Sequence, residues 1–147
     1  MFDQLIGNPF TSETSPLQID SQVLHRLLIE GQAAFPHEYS ALLAGHHSIA
    51  TMHLPAPQSE ASLHTFAWSG PTLLASLRRI QEAGLQWIGV FHTHPTSPAI
   101  PSSADLAGWH YPTLGYWIAS LQHPENPEVL AYQLINGRFI SKAYTIM

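Results

Sequence analysis

No cysteine occurs in the 147-residue chain, which excludes disulfides, cysteine-based zinc fingers and thiolate nucleophiles. Any metal must then be held by histidines and carboxylates. Charge is scarce as well: charged residues make up 10% of the chain, against a typical share of about 25%. The five basic residues, Arg26, Arg78, Arg79, Arg138 and Lys142, are scattered apart from one Arg-Arg pair. With a formal net charge of -5 and no basic patch, the sequence points to no nucleic-acid partner. Long apolar runs are missing too, so nothing spans a bilayer. Met1 to Pro16, with Asp3 and Glu13 and no basic residue, does not resemble a secretory signal. The expectation is a soluble, cytoplasmic protein with no membrane partner.

What is present suits one domain over residues 1–147, with 1–16 irregular: 45% of the residues are apolar, enough for a core without disulfides. Asp20 or Ser21 is placed to cap a helix whose apolar positions Val23, Leu24, Leu27 and Leu28 recur at helical spacing until Pro36. Tyr39 to Ala44 and Ser48 to Leu54 read as strands of a hairpin turning at Gly45-His46-His47. Leu63 to Trp68 reads as another strand. Pro71 suits the first turn of a second helix, with Leu73, Leu74, Leu77 and Ile80 as its buried stripe and Gly84 as its stop. Trp87 to Phe91 reads as a central buried strand running into His92-Thr93-His94 and ending at Pro95. A short helix from Ser102 to about His110 follows. Gly115 to Leu121, Val129 to Ile135 and Arg138 to Ile146 read as closing strands, with Asn136-Gly137 as a hairpin turn.

The chemistry concentrates after the central strand. Side chains at i and i+2 of a strand share a face and lie roughly 6.6 Å apart along it, so His92 and His94 can converge on one ion. Two imidazoles suit zinc, and a catalytic site needs a third protein ligand plus an open position. Asp105 is the nearest candidate. A His-x-His pair alone is weak evidence in a chain with ten histidines, and Ser102-x-x-Asp105 also matches a helix capping box. Taken together as His92-Thr93-His94-Pro95, six residues, then Pro101-Ser102-Ser103-Ala104-Asp105, the two halves are far more specific.

That string resembles the JAMM (MPN-plus) signature, His-x-His-Pro followed by Ser-x-x-Asp. The family also carries a glutamate upstream in a context like Pro36-His37-Glu38, followed by a small apolar strand ending in glycine, as Tyr39-Ser40-Ala41-Leu42-Leu43-Ala44-Gly45 does here. Trp87 to Phe91 and Tyr111-Pro112 look like the compact prokaryotic branch, and the likeness covers roughly residues 18 to 146. Ser40-Ala41 stands where the family often has Cys-Gly. The resemblance implies a mixed α/β MPN fold, a curved mixed sheet flanked by helices. It implies one zinc per chain on His92, His94 and Asp105, with Glu38 as proton acceptor and donor and the Ser102 hydroxyl assisting the oxyanion. The implied activity is that of a peptidase or isopeptidase. Its protein substrate would be a ubiquitin-like tail, in bacteria a sulfur carrier ending in Gly-Gly.

The alternative is a non-catalytic MPN scaffold, which the filled ligand, glutamate and serine positions disfavour. An amidohydrolase barrel with His-x-His would need about 250 residues. Other polar residues read as bland: His46 and His47 as a solvated turn, and His110 as a helix-surface residue with a minor claim to be a partner of Asp105. Trp87, Phe91, Trp109, Tyr116 and Trp117 read as core, and Thr93 as packing on the face opposite the histidines.

Overall fold

The computed structural model describes residues 5–10, 16–57 and 68–147. One eight-stranded mixed sheet organises it, with strands β1 (Leu17–Ile19), β2 (Ser40–His46), β3 (Ile49–Pro55), β4 (Gln86–His94), β5 (Gly115–Ser120), β6 (Glu128–Ile135), β7 (Arg138–Lys142) and β8 (Tyr144–Ile146). Three helices join them: α1 (Ser21–Ala34), α2 (Gly70–Glu82) and α3 (Ser103–Gly108). The spatial order is β7-β6-β5-β4-β2-β3-β1-β8. The strand expected over Leu63 to Trp68 falls outside the described residues apart from Trp68, which precedes α2.

Local chemistry sets the helix starts. Asp20 caps α1, its carboxylate accepting from the backbone N–H groups of Gln22 at 2.8 Å and Val23 at 3.2 Å. Ser69 caps α2, with Pro71 in its first turn, and Gly84 takes the left-handed φ of +73° just past its end. Along α2 the buried residues are Ser76, Leu77 and Ile80, whereas Leu74 is exposed. The expected stripe was one residue too wide, because Leu74 lies about 100° round the helix from Leu73 and faces away from the sheet.

β4 runs antiparallel to β2 and parallel to β5, and Trp87 to His94 are all buried. Both faces of the sheet are covered. On one, Val90, Tyr116, Ile118 and Leu42 meet Leu77 and Ile80 of α2. On the other, Phe91, Trp117, Ala119 and Leu43 meet Val23, Leu24 and Leu27 of α1. The hairpin turn falls at His47 and Ser48, one residue later than expected, and His47 takes φ of 55° there. Gly45 lies within β2, where an added Cβ would sit 1.8 Å from the Ile49 carbonyl oxygen.

The final apolar run is not one strand. It divides at Ala143 into β7, paired with β6, and β8, paired in parallel with β1 at the opposite end of the sheet. The sheet therefore curls until both of its edges lie along one stretch of chain. Tyr144 of β8 contacts Trp117 of β5, ring centres 4.8 Å apart, and its hydroxyl donates to the Val129 carbonyl at 2.7 Å. Among the described residues no helix is long and apolar enough to cross a membrane.

Candidate metal centre

His92 and His94 close β4, and Asp105 sits in the first turn of α3, within the crossover from β4 to its parallel neighbour β5. The strand's period of two sends both imidazoles to the α2 face. There the two Nε2 atoms lie 3.3 Å apart, His92 Nε2 is 3.0 Å from Asp105 Oδ1, and His94 Nε2 is 3.2 Å from Asp105 Oδ2. All three residues are buried and can hold a metal ion. Donors about 2.0–2.1 Å from a tetrahedral ion sit roughly 3.3 Å from one another, so the spacing fits.

Proton bookkeeping supports a cation there. The Pro98 carbonyl lies 2.8 Å from His94 Nδ1, which fixes that nitrogen as a donor and turns Nε2 inward as the acceptor. With that assignment, Nε2 faces a carboxylate oxygen and another imidazole, an arrangement that needs either a second proton or a metal ion. His92 Nδ1 is buried without a hydrogen bond of good geometry, the Trp117 backbone being the polar group that acts on it.

Burial opposes ionisation of Asp105, but hydrogen bonds from His92 and His94, their charge and the Ser102 N–H outweigh it and hold the carboxyl well below the usual range. Burial lowers His92, more than its contact with Asp105 raises it. Burial opposes the His94 cation as well, yet Asp105, the Pro98 carbonyl and Glu38 together raise this imidazole.

Glu38 precedes β2 by two residues. Ser40 pairs with His92, so continuing that antiparallel register sets Glu38 opposite His94 on the same face. The pairing does continue: Thr93 N–H donates to the Tyr39 carbonyl at 2.9 Å, and Tyr39 N–H donates to Thr93 Oγ1 at 2.9 Å. From the other side of the sheet, the Tyr39 hydroxyl donates to Glu30 of α1, whose carboxylate also meets His53 Nε2 at 3.2 Å. Glu38 itself is half-buried. Desolvation is the main cause that raises its carboxyl to about 7; His94 pulls it down and the negative charge of Asp105 pushes it up.

Ser102 is the cap of α3. Its N–H donates to Asp105 Oδ2 at 2.7 Å, its hydroxyl donates to the same oxygen at 3.0 Å, and its Oγ accepts from Asp105 N–H at 3.1 Å. Ser102-x-x-Asp105 is a capping box in the structure, and the cap aims the Asp105 carboxylate at His92 and His94. Tyr116 was read from sequence only as core. It is fully buried, yet its hydroxyl donates to Asp105 Oδ1 at 2.7 Å and its ring lies 4.8 Å from that of His92. Desolvation first, then Asp105, raise that phenol far above its ordinary value. Thr93, expected only to pack, also ties the Glu38 segment to β4. His110, His46 and His47 are exposed and do not join the converging donors.

The strand pair, the crossover helix and the three converging donors define a metal-centre architecture on a curled mixed sheet. A family model described as prokaryotic homologs of the JAB domain matches residues 20–135, and the chain belongs to that family. A stretch of 80 residues is 32% identical to a probable TtuB-protein conjugate cleaving protease of Thermus thermophilus, covering 52% of this chain and 53% of that protein. The match thus spans about half of that relative's length. Among solved structures, protein DSY2949 of Desulfitobacterium hafniense superposes with a TM-score of 0.81 at 22% identity, over 89% of this chain and 92% of that one. The JAB1/MPN domain protein AF2198 of Archaeoglobus fulgidus gives 0.62 at 19% identity, over 91% and 99%. The fold is that of the JAB1/MPN proteins.

Proposed function

We propose that this chain is a zinc metallopeptidase that cleaves a peptide or isopeptide bond at the C-terminal tail of a ubiquitin-like carrier. The observation that carries the reading is the meeting of two imidazole Nε2 atoms and a carboxylate within 3.0–3.3 Å at the end of a buried strand. His92, His94 and Asp105 would hold the ion, and their borderline donor set favours zinc. A divalent ion there supplies Lewis acidity and a water that ionises near neutral pH.

Glu38 lies on the ligand face with a carboxyl near 7, matched to taking a proton from attacking water and returning it to the departing amine. The water oxygen joins the carbonyl carbon, the C–N bond breaks, and the proton leaves with the nitrogen. Ser102 has one hydroxyl proton, which rests on Asp105 Oδ2 in this structure. With a metal held by His92, His94 and Asp105, the Ser102 hydroxyl would be available to donate to the oxyanion of the tetrahedral intermediate.

A carrier tail is favoured because the matched Thermus protein is described as cleaving protein conjugates of TtuB, and because a metal at a strand end can receive an extended chain. Glycines at the scissile bond avoid a Cβ crowding the Pro95 to Pro101 loop. The test is mass spectrometry of a ubiquitin-like carrier ending in Gly-Gly plus added residues, beside an Ala-Ala control. Trimming after Gly-Gly alone is expected. Equal trimming of both, or cutting only of unstructured peptides, would replace the carrier reading with a general peptidase.

A further inference from the structure

An open groove of about 430 Å³ adjoins the metal centre. Ile100, Leu106, Tyr132 and Phe139 make it apolar, while Ser102 and Arg138 stand at its polar points. It shares parts with the centre in two places. Ser102 contacts Asp105 Oδ2 through its N–H and its hydroxyl. Phe139 stacks on Tyr116, ring centres 4.8 Å apart, and Tyr116 donates to Asp105 Oδ1.

The walls are braced: the Tyr132 hydroxyl donates to the Ala99 carbonyl at 2.6 Å, tying β6 to the loop that carries Ile100. Ile100 and Leu106 nonetheless remain 62% and 44% exposed, an apolar pair left for something else to cover. Arg138 begins β7 at the groove. Among the described residues every ion pair involves a histidine, so Arg138 has no carboxylate within 4.0 Å. No Lys or Arg among the described residues pairs with a carboxylate, and Arg138 is the basic residue that lines this apolar groove, so its guanidinium can meet a carboxylate that a ligand brings there.

We infer that this groove binds the leaving segment of the substrate, seating an apolar side chain against Ile100 and Leu106 and pairing Arg138 with a carboxylate. The inference rests on the peptidase reading above. Gly-Gly on the carrier side has no side chain to offer an apolar groove, so the side chains nearest the scissile bond are those of the segment that follows it, which we take as the occupant. An extended chain advances roughly 3.3–3.6 Å per residue, and a groove that starts at Ser102 is reached within the first few of those residues. The carboxylate is that of an acidic side chain on this segment, and the free C-terminus is the alternative that the test separates from it.

The test uses zinc-loaded full-length protein and carriers ending in Gly-Gly followed by Leu-Glu, Leu-Gln or Leu-Lys, each with a free or an amidated terminus. Initial rates give kcat/KM. Binding of the same tails, fluorescently labelled, is read separately by anisotropy on the Glu38→Gln protein, where no turnover is needed. Wild type is expected to prefer Glu over Gln by roughly fivefold, the scale of one exposed ion pair, with Lys last. Arg138→Glu should reverse the order to favour Lys, and Leu106→Asp should weaken every Leu-bearing tail. A loss of binding on amidation that is equal for the Glu, Gln and Lys tails, with no preference for Glu, moves the carboxylate to the C-terminus and overturns the side-chain pairing; a Glu preference that survives amidation supports it. An unchanged order in Arg138→Glu, in rates or in binding, overturns the inference even if cleavage proceeds. Should no carrier be cut, the peptidase reading falls, and anisotropy still decides the groove: reversal supports it, and absent or charge-blind binding ends it. If Arg138→Glu does not fold, Arg138→Gln should level the Glu and Gln tails.

Discussion

Burial disfavours the Glu38 charge and is the main reason its carboxyl is pushed up from an ordinary 4.5 to about 7 in the fold. Between those values the folded protein keeps a proton that the unfolded chain has released. The unfolded state binds fewer protons there, so this residue lowers stability as pH rises through the window. Glu38→Gln is uncharged throughout and lacks the effect. In metal-free protein, the melting temperature of wild type should therefore fall relative to Glu38→Gln between about pH 5 and about pH 7.5. Parallel curves would mean that Glu38 is not desolvated. Tyr116→Phe deletes only the hydroxyl that donates to Asp105 Oδ1 at 2.7 Å. Zinc affinity, measured by competition with a chelating dye, should drop about 10–100-fold while full loading is still reached at high zinc. Unchanged affinity would make the bond incidental. The shared face of His92 and His94 was legible because a strand's period is two. Tyr116 was not: it flanks His92 only through the parallel pairing of β4 with β5 across a long crossover, which no local pattern encodes.

At the scale of elements, α1 supports the centre from the opposite side of the sheet. A Cβ on Gly31 would come 2.7 Å from Thr93 Cγ2, and Thr93 holds the backbone of Tyr39 next to Glu38. Alanine would gain about 1 kcal/mol of helix propensity, but it pushes on a buried β-branched side chain with little room to rotate. Gly31→Ala should be net destabilising by about 1–3 kcal/mol in urea denaturation, with turnover reduced further at temperatures where the variant is fully folded. A stabilised, fully active variant would show that α1 can back away without cost. The helices were readable from caps and spacing: Asp20, Pro71 and Gly84 all lie where their chemistry set them. The three-residue β1 was not expected, being too short to show a period and held by pairing with β3 and β8. Leu74 was misplaced because apolar identity alone does not fix the width of a buried stripe.

For the whole molecule, the hidden feature is the curl. Arg138 to Ile146 reads as one strand, yet it serves both sheet edges, split at Ala143. That partition depends on where the far end of the sheet arrives, a long-range matter invisible in nine residues. The donor set was more legible than the fold around it, since His92, His94 and Asp105 lie within one short stretch whose strand, loop and capped helix are locally specified. Glu38 was accessible through resemblance, and the β2–β4 register supplies the physical reason for its place. The claim on which the rest depends is that three side chains hold one zinc while Glu38 stands beside it without holding it. The direct measurement is zinc per chain, by elemental analysis after zinc-replete refolding and desalting, for wild type, Asp105→Ala and Glu38→Gln. Wild type and Glu38→Gln should each retain about one zinc and Asp105→Ala almost none; zinc kept by Asp105→Ala, or lost from Glu38→Gln, would contradict that assignment.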